Sequence, residues 1–349
     1  MTHIFHPAPI ETVDTSTQAS WQQQLADVVT TGRELISKLN LDPHYLPAAN
    51  QGALDFPIRV PKAYLNRITP ADIHDPLLRQ VLPLKEENEP TPTGFVLDPL
   101  GEASSNKTPG IVHKYHGRVL LITNGSCAIH CRYCFRRHFP YDENNLSLKQ
   151  WLSALDYIKA RPEINEVILS GGDPLTNNDK RLFALISAIE AIPHVTRLRI
   201  HSRLPIVIPA RVTNELVQRL HDSSLNVVMV VHCNHANEID EEVAAALQTM
   251  HHAGIHLLNQ SVLLKGINDN LNSLVNLSER LFTCRVLPYY LHLLDPVMGA
   301  HHFDVKEADG QNLMLALQNK LPGFLVPKLV REVDGRPSKT PISTPLSPI

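Results

Sequence analysis

Arg118-Val-Leu-Leu-Ile-Thr-Asn-Gly-Ser-Cys127-Ala-Ile-His-Cys131-Arg-Tyr-Cys134 joins a short apolar run to three closely spaced cysteines. Arg118–Thr123 reads as a strand, and the cysteines follow its carboxyl end. Iron–sulfur clusters are held by grouped thiolates, and three ligands leave one iron of a cubane open to a substrate or cofactor. The competing reading is a zinc site completed by His130 or His138. Structural zinc usually pairs two short-spaced halves, and no second half is present.

Outward from this stretch the chain becomes regular. Further strands are predicted at Glu166–Ser170, Arg197–His201, Val227–His232, His256–Ser261 and Val286–Leu291. Helical patterns separate them at Ser147–Arg161, Asp179–Ala191, Thr213–His221, Ile239–His252, Leu271–Phe282 and Val305–Lys320. After the first, longer unit the strands recur at about 30 residues, the length of a strand plus crossover helix. Six such units predict an α/β fold, a partial TIM-like (β/α)6 barrel with ligands at the carboxyl ends of its strands. The unusual residues collect there: Ser170-Gly171-Gly172-Asp173, His201-Ser202-Arg203, His232-Cys233-Asn234-His235, Asn259-Gln260-Ser261 and Asp295.

Residues 1–108 read as a helical, proline- and loop-rich lead-in, with Ser20 capping one helix over Trp21–Lys38. Residues 109–330 form the barrel and 331–349 a carboxyl-terminal segment. Cys233 and Cys284 have no near cysteine neighbour, so five cysteines in 349 residues make a poor disulfide framework. No apolar run reaches the roughly 20 residues that span a bilayer. Met1–Pro9 lacks the basic and apolar regions of an export signal. A reducing, cytoplasmic location is expected. Net charge is −3, no basic stripe is present and only 5% of residues are aromatic, which argues against a nucleic-acid surface.

The cysteine spacing, with Tyr133 before the last cysteine, resembles radical S-adenosylmethionine enzymes. Several further stretches resemble one family among them, the lysine 2,3-aminomutases. These are Lys114-Tyr-His-Gly-Arg-Val-Leu-Leu121, Cys134-Phe-Arg-Arg137, His232-Cys-Asn-His-Ala-Asn-Glu238, Asn259-Gln-Ser-Val-Leu-Leu-Lys-Gly-Ile-Asn-Asp269 and Pro288-Tyr-Tyr290. The resemblance runs from about residue 15 to the carboxyl terminus. It implies a [4Fe–4S] cluster on Cys127, Cys131 and Cys134, S-adenosylmethionine, and pyridoxal 5′-phosphate held by Lys339. Tyr115 and Arg118 match the positions that hold the cofactor phosphate, with Lys114 as helper.

Ser170, Gly171, Gly172 and Asp173 match the S-adenosylmethionine loop, the Asp173 carboxylate being expected to accept from its amino group. His232 and Gln260 match further contacts, although a histidine on a strand is often a satisfied core group. Arg136 matches the arginine that pairs with a substrate α-carboxylate; Arg137 reads as structural. Asp295 matches one of two carboxylates for a substrate ε-ammonium. The second is expected at Asp334, with Glu332 the alternative, because Asp334-Gly-Arg-Pro-Ser-Lys339 departs from the spacing of longer members.

The end of the chain shortly after Lys339, together with Leu294-Asp-Pro-Val-Met-Gly-Ala-His-His-Phe303, resembles the short bacterial branch. That branch makes (R)-β-lysine for modification of elongation factor P. The implied partners are L-lysine, a flavodoxin-like electron donor and, functionally, the elongation factor P β-lysine ligase. The resemblance leaves room for a homo-oligomer. The alternatives are a lysine or glutamate 2,3-aminomutase of general metabolism, a zinc-and-nucleic-acid module, and a pyridoxal enzyme without radical chemistry.

Overall fold

A computed structural model describes residues 19–102, 106–108, 110–139 and 148–344. The amino-terminal leader reading, the boundary at Pro109 and the predicted helix start at Ser147 lie outside them. The chain opens with two short helices rather than one. Ser20 does cap Trp21–Ala26, its hydroxyl accepting from the Gln23 N–H while Gln23 answers to the Ser20 N–H. The helix then stops, because Val28-Val29-Thr30-Thr31 is a β-branched run that resists helix. Val28–Val29 (β1) pairs with Val60–Pro61 (β2), and Thr31 caps a second helix, Gly32–Lys38.

A ten-stranded sheet follows in nearly sequential order. Asn106–Thr108 (β3), Ile111–Tyr115 (β4) and Arg118–Ile122 (β5) form an antiparallel meander. From β5 the pairing is parallel through Glu166–Ser170 (β6), Arg197–Ser202 (β7), Asn226–Val231 (β8), His256–Val262 (β9) and Leu287–His292 (β10). These are the six predicted strands. Lys328–Arg331 (β11) adds a seventh parallel strand, and Thr340–Pro341 (β12) returns antiparallel beside it. Neither β3, β4, β11 nor β12 was expected. The connecting helices begin where short polar side chains cap them, at Asn178, Thr213, Asp240 and Asn270.

Strand alternation sends one set of side chains out under the helices and the other into a cavity of mixed polar and apolar lining. In β7, Leu198 and Ile200 are buried under helices while Arg199 and His201 line a central cavity. In β9, Gln260 and Val262 line the same cavity. Trp21, Leu35, Tyr64, Leu77 and Leu82 of the lead-in belong to the same apolar cluster as Val167, Ile200 and Val231 of the barrel.

The lead-in also grips the cysteine loop. Arg132, between the second and third cysteines, is fully buried and donates to the carbonyls of Gly52 (3.0 Å) and Phe56 (2.6 Å) and to both oxygens of Glu87. Glu87 also takes Arg137 at 2.6 Å. One carboxylate thus offsets two guanidiniums, and removing it leaves both charges buried without their partner. Glu87→Gln is expected to cost about 3–5 kcal/mol of stability in urea unfolding.

Candidate active site

Residues from the ends of the parallel strands surround a cavity of about 340 Å3. Cys127, Cys131 and Cys134 line one part of it, all half-buried. Burial and the neighbouring thiols push Cys127 well up and Cys134 up to about 11. Three thiolates can stand together here only against a strongly cationic group. Among the described residues no three His, Cys, Asp or Glu side chains converge on a position for a single metal ion. Three cysteine thiols bordering one cavity are a donor set that fits an iron–sulfur cluster.

The Gly171-Gly172-Asp173 loop is laced to the cysteine loop. The N–H groups of Gly172 and Asp173 donate to the carbonyls of Asn124 (2.9 Å) and Ser126 (2.7 Å). A Cβ on Gly172 would lie 2.3 Å from the Ser126 oxygen, and Gly171 has φ +122°. The glycines therefore serve a close approach of two chain segments, as well as bordering the cavity. Asp173 also lines the cavity. Oδ1 accepts from Leu175 N–H and Ser202 Oγ, and Oδ2 from the N–H groups of Arg203 and Leu204. The carboxylate thus ties the ends of β6 and β7 together at the edge of the cavity.

His232 and Gln260 face the cavity with buried polar atoms, Nε2 and Oε1, that have no partner among the described residues. His201 and His292 stand likewise, each with an unpartnered Nε2. Burial holds His232 down at about 4 and His201 and His292 well below the usual range, so all three are neutral. Orphaned polar atoms around one cavity mark where a polar ligand belongs. His201 and His292 were not expected as site residues, although His201 stood visibly at a strand end.

Arg136 is buried, and its fork is occupied. Nε and Nη2 donate to the two oxygens of Glu102 at 2.7 Å each, and Nη1 to Gly171 O (3.0 Å) and Ser170 Oγ (3.2 Å). Glu102 escaped the sequence reading because nothing local distinguishes it from a solvated loop acid. It arrives on a strap in which Val96 bridges to Val297 and Leu100 O accepts from Lys114 Nζ at 2.7 Å.

On the opposite side, β12 delivers Lys339. Its Nζ donates to Glu332 Oε2 at 2.7 Å and lies 5.8 Å from the centre of the Tyr290 ring. Glu332 also meets Lys114 at 3.3 Å and the Tyr115 hydroxyl, and these partners hold it down at about 2 against the cost of burial. Arg118 stacks on Tyr115 at 4.7 Å, the two placed opposite each other by the β4–β5 hairpin. Asp334, the expected second carboxylate, is exposed and lies outside the cavity lining, beside Gly101; Glu332 takes the interior place. Strand alternation fits the inward place of Glu332: in β11 Leu329 packs into an outer apolar cluster, and Glu332, an odd number of positions on, points to the cavity. Asp295 also lines the cavity, its Oδ1 without a partner among the described residues, and burial raises it to about 7.

Fold and site together define a radical S-adenosylmethionine enzyme, and the sequence profile described as the radical SAM superfamily matches residues 121–277. An L-lysine 2,3-aminomutase of Escherichia coli (strain K12) is 49% identical over 340 residues, covering 97% of this chain and 99% of the relative. The Haemophilus influenzae protein of the same description is 46% identical, covering 93% of this chain and 95% of the relative. That of Clostridium subterminale is 35% identical, covering 92% and 77%. The chain belongs to the L-lysine 2,3-aminomutase family of isomerases. Membership brings a [4Fe–4S] cluster and S-adenosylmethionine. Among the described residues no helix is long and apolar enough to cross a membrane.

Because the Gly172 Cβ would strike backbone, which cannot rotate away, Gly172→Ala is expected to cost about 1–3 kcal/mol. It should also lower iron uptake on anaerobic reconstitution, measured by iron content beside thermal unfolding.

Proposed function

We propose that the protein converts (S)-α-lysine to (R)-β-lysine by a pyridoxal phosphate-assisted 1,2-amino shift. The observation that carries this reading is the placing of Lys339, Glu332, Asp295 and Arg136 around one cavity with the three cysteines. When bound, the cluster and S-adenosylmethionine supply the radical and pyridoxal phosphate supplies the π-system across which the amine moves.

The chain's residues supply binding and placement. Cys127, Cys131 and Cys134 hold the cluster, and Ser170, Gly171, Gly172, His232 and Gln260 border the place for S-adenosylmethionine. Lys339 holds pyridoxal phosphate through Nζ. The phosphate goes to Tyr115 and Arg118, with Arg199 beyond, whose buried Nε has no partner among the described residues. Arg136, held by Glu102, faces the α-carboxylate. Asp295 and Glu332 face the ε-ammonium, whose positive charge offsets the burial that keeps Asp295 high. Two inward carboxylates select a diamino acid over an acidic one, which favours lysine over glutamate.

The product is destined for modification of elongation factor P. The support is the resemblance of Leu294–Phe303 to the short bacterial branch. Free L-lysine is the substrate, a flavodoxin-like protein the electron donor, and the elongation factor P ligase the consumer.

Anaerobic incubation of the reconstituted protein with L-lysine, S-adenosylmethionine and dithionite should yield (R)-β-lysine on chiral analysis, and Cys127→Ala should yield none. Fully loaded wild-type enzyme that leaves lysine unchanged would overturn the reading. Above about pH 7 Asp295 is ionised and can accept an ammonium, so KM for lysine should fall as pH rises from 6 to 8. Asp295→Asn should abolish that slope and raise KM on the order of tenfold or more.

A further inference from the structure

Arg203, at the end of β7, has no role in the reading above, yet it touches both halves of the site. Its guanidinium is buried. Nη1 donates to Cys131 Sγ and to the Tyr133 hydroxyl at 2.9 Å. Nη2 donates to Gln80 Oε1 at 2.7 Å and Glu238 Oε2 at 2.8 Å. Its backbone N–H donates to Asp173 Oδ2 at 2.7 Å.

The surrounding groups form a closed network. The fully buried Glu238 accepts from the N–H groups of Asn234 and His235 and from Gln80 Nε2. Asn234 Nδ2 donates to the Tyr133 hydroxyl and Gln80 Oε1. A solvated surface arginine would show none of this. Removing Arg203 would leave Glu238 buried without its cation and Cys131 without this donor.

We propose that Arg203 is a positioning residue that joins the Cys131 thiolate to the Gly171–Asp173 loop and raises the reduction potential of the cluster. One-electron reduction by a low-potential donor adds one negative charge to the cluster and makes or breaks no bond. A guanidinium donating to a ligand sulfur stabilises the reduced form, because hydrogen bonds and charge near the sulfurs set the potential. Glu238, on the far side of the same guanidinium, acts in the opposite sense. The backbone link to Asp173 adds a further tie between thiolate and loop, beside the bonds from Gly172 and Asp173 to the cysteine loop.

The inference rests on the cysteines being cluster ligands, which is checked separately. Wild-type protein reconstituted anaerobically should carry roughly four irons per chain with matching sulfide, and failure there sinks that reading and not the role of Arg203 alone. The test is a dithionite titration with mediators, followed by electron paramagnetic resonance of the reduced cluster in the full chain. Arg203→Gln should move the midpoint to more negative potential, Arg203→Lys by less, and Glu238→Gln to less negative potential. A fully loaded Arg203→Gln variant with the wild-type midpoint would overturn the proposal. If that variant takes up no cluster, Arg203→Lys and Glu238→Gln decide: opposite shifts support it, and shifts of the same sign or none overturn it.

Discussion

The close passage of Ser126 over Gly172 is the contact on which the site depends. The first strand and its cysteine loop meet the end of the second strand with no room for a Cβ, and two backbone hydrogen bonds fix the register. That approach puts the thiols and the glycine loop in one cavity wall. Asp173 then carries the constraint to the third strand, since its carboxylate is spent on the backbone and hydroxyl donors there. Three consecutive strand ends are thereby locked by polar groups from which water is excluded, where each hydrogen bond is costly to lose.

The lead-in completes this arrangement from outside. Arg132 points out of the cysteine loop into carbonyls of a preceding helix and into Glu87, whose second arginine, Arg137, lies just beyond the last cysteine. Burying such charges gains little net stability over an apolar contact of equal size. What it does give is a single geometry, because few other placements satisfy so many donors. The strap that brings Glu102 to Arg136 works in the same way on the other rim.

The regular part of the architecture was legible because strands and helices alternate with clear apolar periods from Arg118 to Lys320. The cysteines and the histidines at strand ends stood out by residue type. What escaped has physical causes. The break after Ala26 has a local cause in the β-branched run from Val28 to Thr31, but the strand it becomes needs β2 more than thirty residues away, a tertiary pairing that no local pattern reveals. The strands β11 and β12 are four and two residues long, below the length at which alternation becomes a signal. Glu332 and Asp334 share the same parity, and only the end of β11 and the turn at Gly335 decide that one faces inward and the other solvent. Asp173 has the residue type for a ligand contact, while its bonds to Ser202, Arg203 and Leu204, some thirty positions later in the chain, are tertiary and leave no local pattern.

The hairpin that presents Lys339 has a bearing on how the molecule matures. Glu332, just past β11, reaches Lys114 of β4 across 218 positions, and those strands lie next to the two edges of the sheet. Contacts of such separation form late, after the cost of closing a long loop has been met by the intervening strands. The barrel walls can therefore assemble while the amine is still absent from the cavity. Capture of a small molecule through that amine would stabilise only chains whose last hairpin has docked, so occupancy of the site doubles as a record of completed folding.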